Sequence, residues 1–255
     1  MQTITRTSDD AAYADAATLL RAAKKAVALT GAGISVGSGI PDFRSPGGLW
    51  TRFSPEEYAT IEVFRRNPAK AWELFRALGA VLVGKEANAA HHALAEFEQR
   101  GWLHAIITQN IDNLHQQAGS RQVFEIHGDH QHLHCLQCGA IVPTVPDHFE
   151  ETAIPHCAAC GFPLKPNVVL FGEAVRDLEA IHACIAGCDL LLVIGTSAQV
   201  YPAAALPSQV RRHGGRIMEF NREAALRAVT GPGDFLFQGD VLQTLPALAA
   251  ACRRV

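Results

Sequence analysis

Residues 26–50 read Ala-Val-Ala-Leu-Thr, then Gly-Ala-Gly-Ile-Ser-Val-Gly-Ser-Gly-Ile, then Pro-Asp-Phe-Arg-Ser-Pro-Gly-Gly-Leu-Trp. The first five residues form a short apolar run, as expected of a strand buried on both faces of a parallel sheet. Gly31 and Gly33 follow at once. Without a Cβ they let the chain turn sharply and come close to a ligand. The backbone amides of residues 32–35 are then expected to point outward at the start of a helix, where a phosphate can be held. The last ten residues set an acid, an aromatic ring and a cation (Asp42, Phe43, Arg44) on a loop rich in Pro and Gly. Such a loop has little packing of its own and can close over a bound molecule.

The glycines admit two readings. A tight strand-to-helix turn with no ligand accounts for a lone Gly-x-Gly. A dinucleotide site normally shows Gly-x-Gly-x-x-Gly and an acid about 20 residues further on. Here Val36 stands at the third glycine position, and Glu56 and Glu57 lie in a polar stretch rather than at a strand end. An ordinary hydride-transfer dehydrogenase is disfavoured, and a dinucleotide bound in another manner stays open.

On the N-terminal side, Ser8 is expected to cap a helix carrying Asp9 and Asp10 in its first turn and running to about Ala23. On the other side, residues 52–84 read as helical with Pro interruptions. Trp72, Phe75, Leu78 and Leu82 recur at helical spacing and predict a packed apolar face. Asn88 is expected to cap a further helix that stops before Gly101. Strands are predicted at 103–108, 123–126, 189–194 and 216–220, with 168–171 extended and a final helix over about 241–250. They end in Gln109-Asn110-Ile111-Asp112, His127-Gly128, Gly195-Thr196-Ser197 and Asn221. Strands alternating with helices predict an α/β fold with a mostly parallel sheet, whose chemistry sits directly after the strands.

Between residues 129 and 163 the texture changes to Cys, His, Pro and small residues, as in a small inserted module. Cys135-x-x-Cys138 and Cys157-x-x-Cys160 are separated by 18 residues, a zinc spacing. Gly139 and Gly161 each follow a pair and allow the turn that aims two thiolates at one point. Four thiolates fill a tetrahedral site, so the zinc would be structural. His130, His132 and His134 lie close by and are not needed as ligands. Cys184, Cys188 and Cys252 are expected to be inert thiols.

The chain has 255 residues, 48% of them hydrophobic, enough for a substantial core in one large or two small domains. Its formal charge of -3 carries no basic footprint for nucleic acid. No apolar run reaches membrane-spanning length, and the N-terminus lacks a cationic-then-apolar pattern, so a cytoplasmic location is expected. Nothing in the pattern specifies an oligomeric state.

The pieces also occur in a familiar order. Gly-Ala-Gly-Ile-Ser (31–35), Gly-Ile-Pro-Asp-Phe-Arg-Ser (39–45), Thr-Gln-Asn-Ile-Asp-Asn-Leu-His (108–115), His127-Gly128 and the two Cys pairs come first. Lys-Pro-Asn-Val-Val-Leu-Phe-Gly-Glu (165–173), Gly-Thr-Ser (195–197) and Phe-Asn-Arg-Glu (220–223) follow. From about Ala26 to the C-terminus this resembles the sirtuins, the NAD-dependent protein deacylases.

The resemblance implies a Rossmann-like large domain, residues 1–128 and 164–255, with a helical and mobile-loop insertion at about 42–87. It also implies a small zinc module at 129–163. NAD, as consumed co-substrate, and an acyl-lysine protein or peptide would meet between them. Gly31, Ala32, Gly33, Asp42, Phe43 and Arg44 would contact NAD, and Gln109, Asn110 and Asp112 would line its nicotinamide and ribose pocket. Gly195, Thr196, Ser197, Asn221, Asp240 and Val241 would hold its adenosine end. His127 matches the catalytic histidine, aided by Asn110 and Asp112. Val168, Val169, Leu170, Phe171 and Gly172 would form one wall of a peptide groove, and Gln199, Val200 and Tyr201 the other, with the peptide adding as an extended strand.

The implied products are nicotinamide and O-acyl-ADP-ribose. Members that prefer acidic acyl groups carry a Tyr and an Arg three residues apart where this chain has Phe75 and Leu78, so a neutral acyl group, acetyl or longer, is expected over succinyl. The alternatives are protein mono-ADP-ribosyl transfer or NAD hydrolysis in the same cleft, and a non-catalytic zinc-and-NAD binding module.

Overall fold

The structure, a computed structural model, describes residues 1–43, 47–150 and 153–255. Its strands are β1 Gln2–Ile4, β2 Ala26–Thr30, β3 Ala105–Thr108, β4 Val123–Glu125, β5 Gly128–Cys135, β6 Ile141–Pro143, β7 Leu164–Val168, β8 Leu190–Ile194, β9 Arg216–Asn221 and β10 Phe235–Gln238. The helices are α1 Asp10–Ala22, α2 Pro55–Tyr58, α3 Ile61–Arg66, α4 Pro68–Leu82, α5 Ala89–Gln99, α6 Leu114–Gln117, α7 Asp147–Glu150, α8 Leu178–Ile185, α9 Leu206–Arg212 and α10 Val241–Arg254. Among the described residues, no helix is long and apolar enough to cross a membrane.

Seven strands form one parallel sheet in the order β1-β10-β9-β8-β2-β3-β4. From β2 the chain builds toward β3 and β4 on one side and toward β8, β9 and β10 on the other. The order therefore reverses at the carboxyl ends of β2 and β8, where open α/β sheets place a ligand crevice. Every residue of β2 and β8 is buried, as their unbroken apolar runs predict. One apolar layer joins the sheet to α1, α5 and α10 through Leu20, Leu94, Phe97 and Leu248; the other joins it to α8 and α9 through Ile181, Leu206 and Val210.

A second sheet has three antiparallel strands in the order β6-β5-β7. It includes Gly128 and residues 164–168 as well as most of the expected module. Its core is shared with the helical insertion: Phe64, Trp72 and Phe75 pack with Leu133, Leu164, Val168 and the Cys135 and Cys157 side chains. The Trp72 indole donates to the Leu164 carbonyl at 2.9 Å.

Several expected boundaries shift. The cap of α1 is Asp9, which accepts from the Ala12 amide, and not Ser8. Asn88 caps α5 as expected, in a capping box completed by His91. The α10 helix runs one turn beyond its expected end. The extended stretch expected at 168–171 begins earlier, as β7, and leaves the sheet after Val168. The short strands β1 and β10 have no counterpart in the expectations. Their apolar residues, three at most in a row, are held by neighbours, as in the Phe220–Phe237 ring stack at 4.5 Å.

Candidate active site

A cleft of about 1310 Å³ opens at the reversal point of the large sheet and extends to the small one. It is lined by Gly31, Ala32, Gly33, Asp42, Phe43, Gln109, Asn110, His127, Val168, Val169, Leu170, Phe171 and Gly172. Gly195, Thr196, Ser197, Gln199, Val200, Tyr201, Asn221, Asp240 and Val241 complete the set that the sequence singled out. Arg44 lies outside the described residues. Asp112 does not line the cleft. It sits behind Ser35, whose hydroxyl donates to its Oδ2 at 2.6 Å, while its Oδ1 accepts the Leu114 amide.

The glycine turn is built differently from the expected phosphate cradle. Residues Ala32–Ile34 form a single 3-10 turn, not the start of an α-helix. The amides of Ile34 and Ser35 donate to the carbonyls of Gly31 and Ala32, and the Gly33 amide donates to the Gly195 carbonyl at 2.8 Å. Three of the four amides from Ala32 to Ser35 are thus spent inside the protein. The glycines serve close contact: a Cβ on Gly33 would meet Gly195 Cα at 2.7 Å, and one on Gly31 would meet Thr196 Cβ at 2.7 Å. The turns after β2 and β8 interlock because Gly33 meets Gly195 with no side chain on either, and Gly31 leaves room for Thr196.

Polar side chains fix the floor. Gln109 donates to Thr196 Oγ1 at 2.9 Å, and Asn221 donates to the Thr196 carbonyl and to Glu219 Oε1. The Asn110 amide donates to the Gly31 carbonyl and to Ser35 Oγ. Asp240 caps α10 by accepting from the Leu242 amide, which sets Val241 at the cleft. Beneath lie two buried histidines that are absent from the sequence-derived set of site residues. His91 takes the Asn88 amide on Nδ1 and meets Ser35 Oγ through Nε2. His115 meets Thr30 Oγ1 at 2.9 Å. Burial pushes both rings down from the ordinary imidazole value, to about 4 for His91 and about 3 for His115, so both are neutral at pH 7.

His127 is half-buried in the cleft, and its Nδ1 lies 3.0 Å from the Gln109 carbonyl. A carbonyl only accepts, so Nδ1 carries the proton and Nε2 presents a lone pair. Burial lowers its pKa, partly opposed by the Gln109 carbonyl, and the ring is an unprotonated base at neutral pH. The Val169 amide donates to the His127 carbonyl, tying the histidine to the opposite wall.

That wall contains less strand than expected. Only Val168 belongs to β7; Phe171 pairs with the segment at Thr60 through bonds to Ala59 and Ile61. The cleft lining also has apolar members outside the sheet ends, Trp50, Leu74, Phe75, Leu78 and Ile111. Trp50, absent from the sequence-derived set, joins the loop to the wall: its ring lies 5.1 Å from Phe43 and 6.4 Å from Phe171.

The four cysteines 135, 138, 157 and 160 converge, with all sulfurs within 4.8 Å of one another and the 135–160 and 138–157 pairs at 3.5 Å. A tetrahedral zinc with bonds of about 2.3 Å sets its sulfurs about 3.8 Å apart, so the residues fit that ion. No histidine joins the group; His130 and His132 are bonded to Ile111 and Asp129. Cys184, Cys188 and Cys252 are buried, and burial pushes the last two thiols up to about 11 and about 12. They are protonated and unreactive.

The same pattern is present in known proteins. The sequence pattern described as "Sir2 family" matches residues 31–202. The "NAD-dependent protein deacylase 2" of Pyrobaculum aerophilum is 42% identical over 241 residues, covering 93% of this chain and 95% of that protein. The crystal structure of a Sir2 homologue in complex with NAD superposes with a TM-score of 0.86 at 34% identity, over 100% of this chain and 97% of that one. A Sir2 structure with a p53 peptide and NAD+ gives 0.81 at 32% identity, over 93% and 97%. A cleft at the sheet reversal, a histidine base on its wall, a four-thiolate knuckle and identity along nearly the full length agree, and this chain belongs to the Sir2 family.

Proposed function

We propose that this protein removes acyl groups from lysine side chains of proteins by consuming NAD, releasing nicotinamide and O-acyl-ADP-ribose. The carrying observation is one cleft lined by the interlocked glycine turns, an imidazole base and a set of apolar side chains. The deacylase name of the Pyrobaculum relative and the peptide in the solved Sir2 complex support the same substrate class.

In this reading, NAD supplies an electrophilic ribose carbon when its nicotinamide leaves, and the acyl oxygen of the substrate is the nucleophile. The protein therefore needs no nucleophilic Ser or Cys. Gly31, Ala32, Gly33, Gly195, Thr196, Ser197, Asn221, Asp240 and Val241 hold the nucleotide, with Asp42, Phe43 and Arg44 closing from the loop. Gln109 and Asn110 orient the reacting end. Asp112 acts one layer back, by fixing Ser35 against Asn110. Phe43 excludes water, which would otherwise take the place of the acyl oxygen. His127 Nε2 accepts a ribose hydroxyl proton, a step worth roughly 10²–10⁴ in rate. Val168, Val169, Leu170, Phe171 and Gly172 face Gln199, Val200 and Tyr201 across the peptide.

Phe75 and Leu78 favour a neutral acyl group. Neither side chain offers a charge or hydrogen bond to a buried carboxylate, whose desolvation is costly. Zinc holds the small sheet through Cys135, Cys138, Cys157 and Cys160 and takes no part in the reaction. Mass spectrometry of the protein mixed with NAD and a panel of acyl-lysine peptides tests the reading. Acylated ADP-ribose is expected, formed faster from acetyl- or butyryl- than from succinyl-peptide. His127→Ala should lower its formation about 10²–10⁴-fold at unchanged zinc content. ADP-ribosylated protein or free ADP-ribose as the main product would overturn the proposal.

A further inference from the structure

Lys165 is completely buried, an unusual place for an ammonium. It belongs to β7, yet its Nζ turns toward the loop that follows. Three acceptors meet it: the Val168 carbonyl at 2.5 Å, the Pro166 carbonyl at 3.2 Å and Glu173 Oε2 at 3.1 Å. An ammonium has three protons to donate, and all three are used. The same Glu173 oxygen accepts the Leu170 amide at 2.8 Å, and the Glu173 amide donates back to the Leu170 carbonyl at 3.0 Å. Glu173 is itself mostly buried, with 14% of its side chain exposed.

These bonds determine the course of residues 168–173. After Val168 the chain has left the sheet and lost its ladder. What replaces the ladder is a turn wound around one ion pair. The outer side of that turn is the cleft wall with Val169, Leu170 and Phe171, and Phe171 is 45% exposed. A pair out of water is weak evidence for stability, because desolvation offsets the attraction. The pair is better explained by the backbone it fixes: the carbonyl of Val168, the amide of Leu170 and the start and end of the wall.

We infer that Lys165 and Glu173 are positioning residues for substrate, a buried ion pair that shapes residues 168–172 into the surface on which an acyl-lysine peptide lies. Neither side chain touches the reacting atoms. The inference rests on the deacylase reading above. It adds a division of labour: the nucleotide side of the cleft is held by the large sheet, and the peptide side by this pair.

Steady-state kinetics with NAD and peptide varied separately test it. Lys165→Met should raise the peptide KM roughly tenfold or more, the effect of losing one charged hydrogen bond. The NAD KM, the zinc content and kcat at saturating peptide should stay within about twofold of wild type. A purely structural role would instead lower kcat by reducing the folded fraction and leave both KM values alone. If Lys165→Met does not fold, Glu173→Gln decides, since Gln keeps an accepting oxygen and loses only the charge. It should shift the peptide KM in the same direction by a smaller factor. An unchanged peptide KM, or equal rises for peptide and NAD, would overturn the inference. A wild-type protein that turns over no acyl-lysine peptide would instead overturn the functional reading and the inference with it, so the two failures are distinguishable.

Discussion

The two sheets are stabilised by different means. In the large sheet, β2 and β8 are buried along their whole length, between apolar layers that draw on five helices. In the small sheet, β6 has no fully buried residue, and β5 buries Gly128, Leu133 and Cys135 of its eight. The small sheet fills its core with two metal-binding cysteines and with aromatic rings borrowed from α3 and α4. One sheet is driven together by hydrophobic burial; the other lacks the area to fold on that term alone. The cleft lies between them, so its large-sheet side inherits a rigid support and its small-sheet side a conditional one.

Removing the metal separates the two most strongly. Structural zinc contributes on the order of 10 kcal/mol to folding where a site does not exist in the unfolded chain. Chelation, or Cys157→Ala, is expected to expose the amides of β5, β6 and β7 to hydrogen exchange while β2, β8 and β9 stay protected. Deacylation should disappear, since β7 leads into the wall that Lys165 and Glu173 shape. Protection of β5 and β7 unchanged after zinc is stripped would break the comparison.

Acid acts on the other support. His91 and His115 lie under the large-sheet side of the cleft and are neutral when folded, with values near 4 and 3. In the unfolded chain such rings take up protons below about pH 6.5. A base whose folded pKa is depressed stabilises above the unfolded value, and that stability drains away as pH falls. By pH 5 each ring should cost about 2 kcal/mol. Urea titrations at pH 7 and pH 5 measure this, and His115→Gln should remove one ring's share of the difference. A variant with the wild-type pH slope would show that the rings do not carry it.

The sequence was legible where burial is continuous. The run at 189–194 carried the strongest central-strand signal and forms β8, and the Cys-x-x-Cys pairs named their own ligands because a metal imposes spacing. The cleft lining was legible through the resemblance, since its residues follow directly after strands. Less was visible where contacts join distant positions. Ser35 and His91 are 56 residues apart, and Thr30 and His115 are 85 apart. No local pattern links them, although His91 stands three residues after the cap Asn88 and could have been read as its capping-box partner. The bonds of Asp112 to Ser35 and the Leu114 amide were not legible either, because adjacency to Asn110 in sequence says nothing about which groups a side chain meets. β1 and β10 are too short for periodicity to register.

Glycine separates the two regions at the finest scale. On the large-sheet side, Gly33 is required by contact: its missing Cβ would strike the backbone of Gly195, at 2.7 Å from Cα and 2.8 Å from the carbonyl oxygen. Backbone atoms cannot rotate aside, so Gly33→Ala should cost about 1–3 kcal/mol as an overpacked site does, and weaken NAD binding by parting the two turns. On the zinc side, Gly161 has φ +73° with nothing within 4 Å of a Cβ. Conformation alone requires it there, and residues that tolerate the left-handed region can replace it. Gly161→Asn should therefore leave stability within about 0.5 kcal/mol of wild type and zinc content unchanged. Calorimetric NAD titration and thermal melts of the two variants compare them directly. If Gly161→Asn proved as damaging as Gly33→Ala, the knuckle would be packed as tightly as the turn, and the contrast between a burial-held and a metal-held sheet would fail at its most local point.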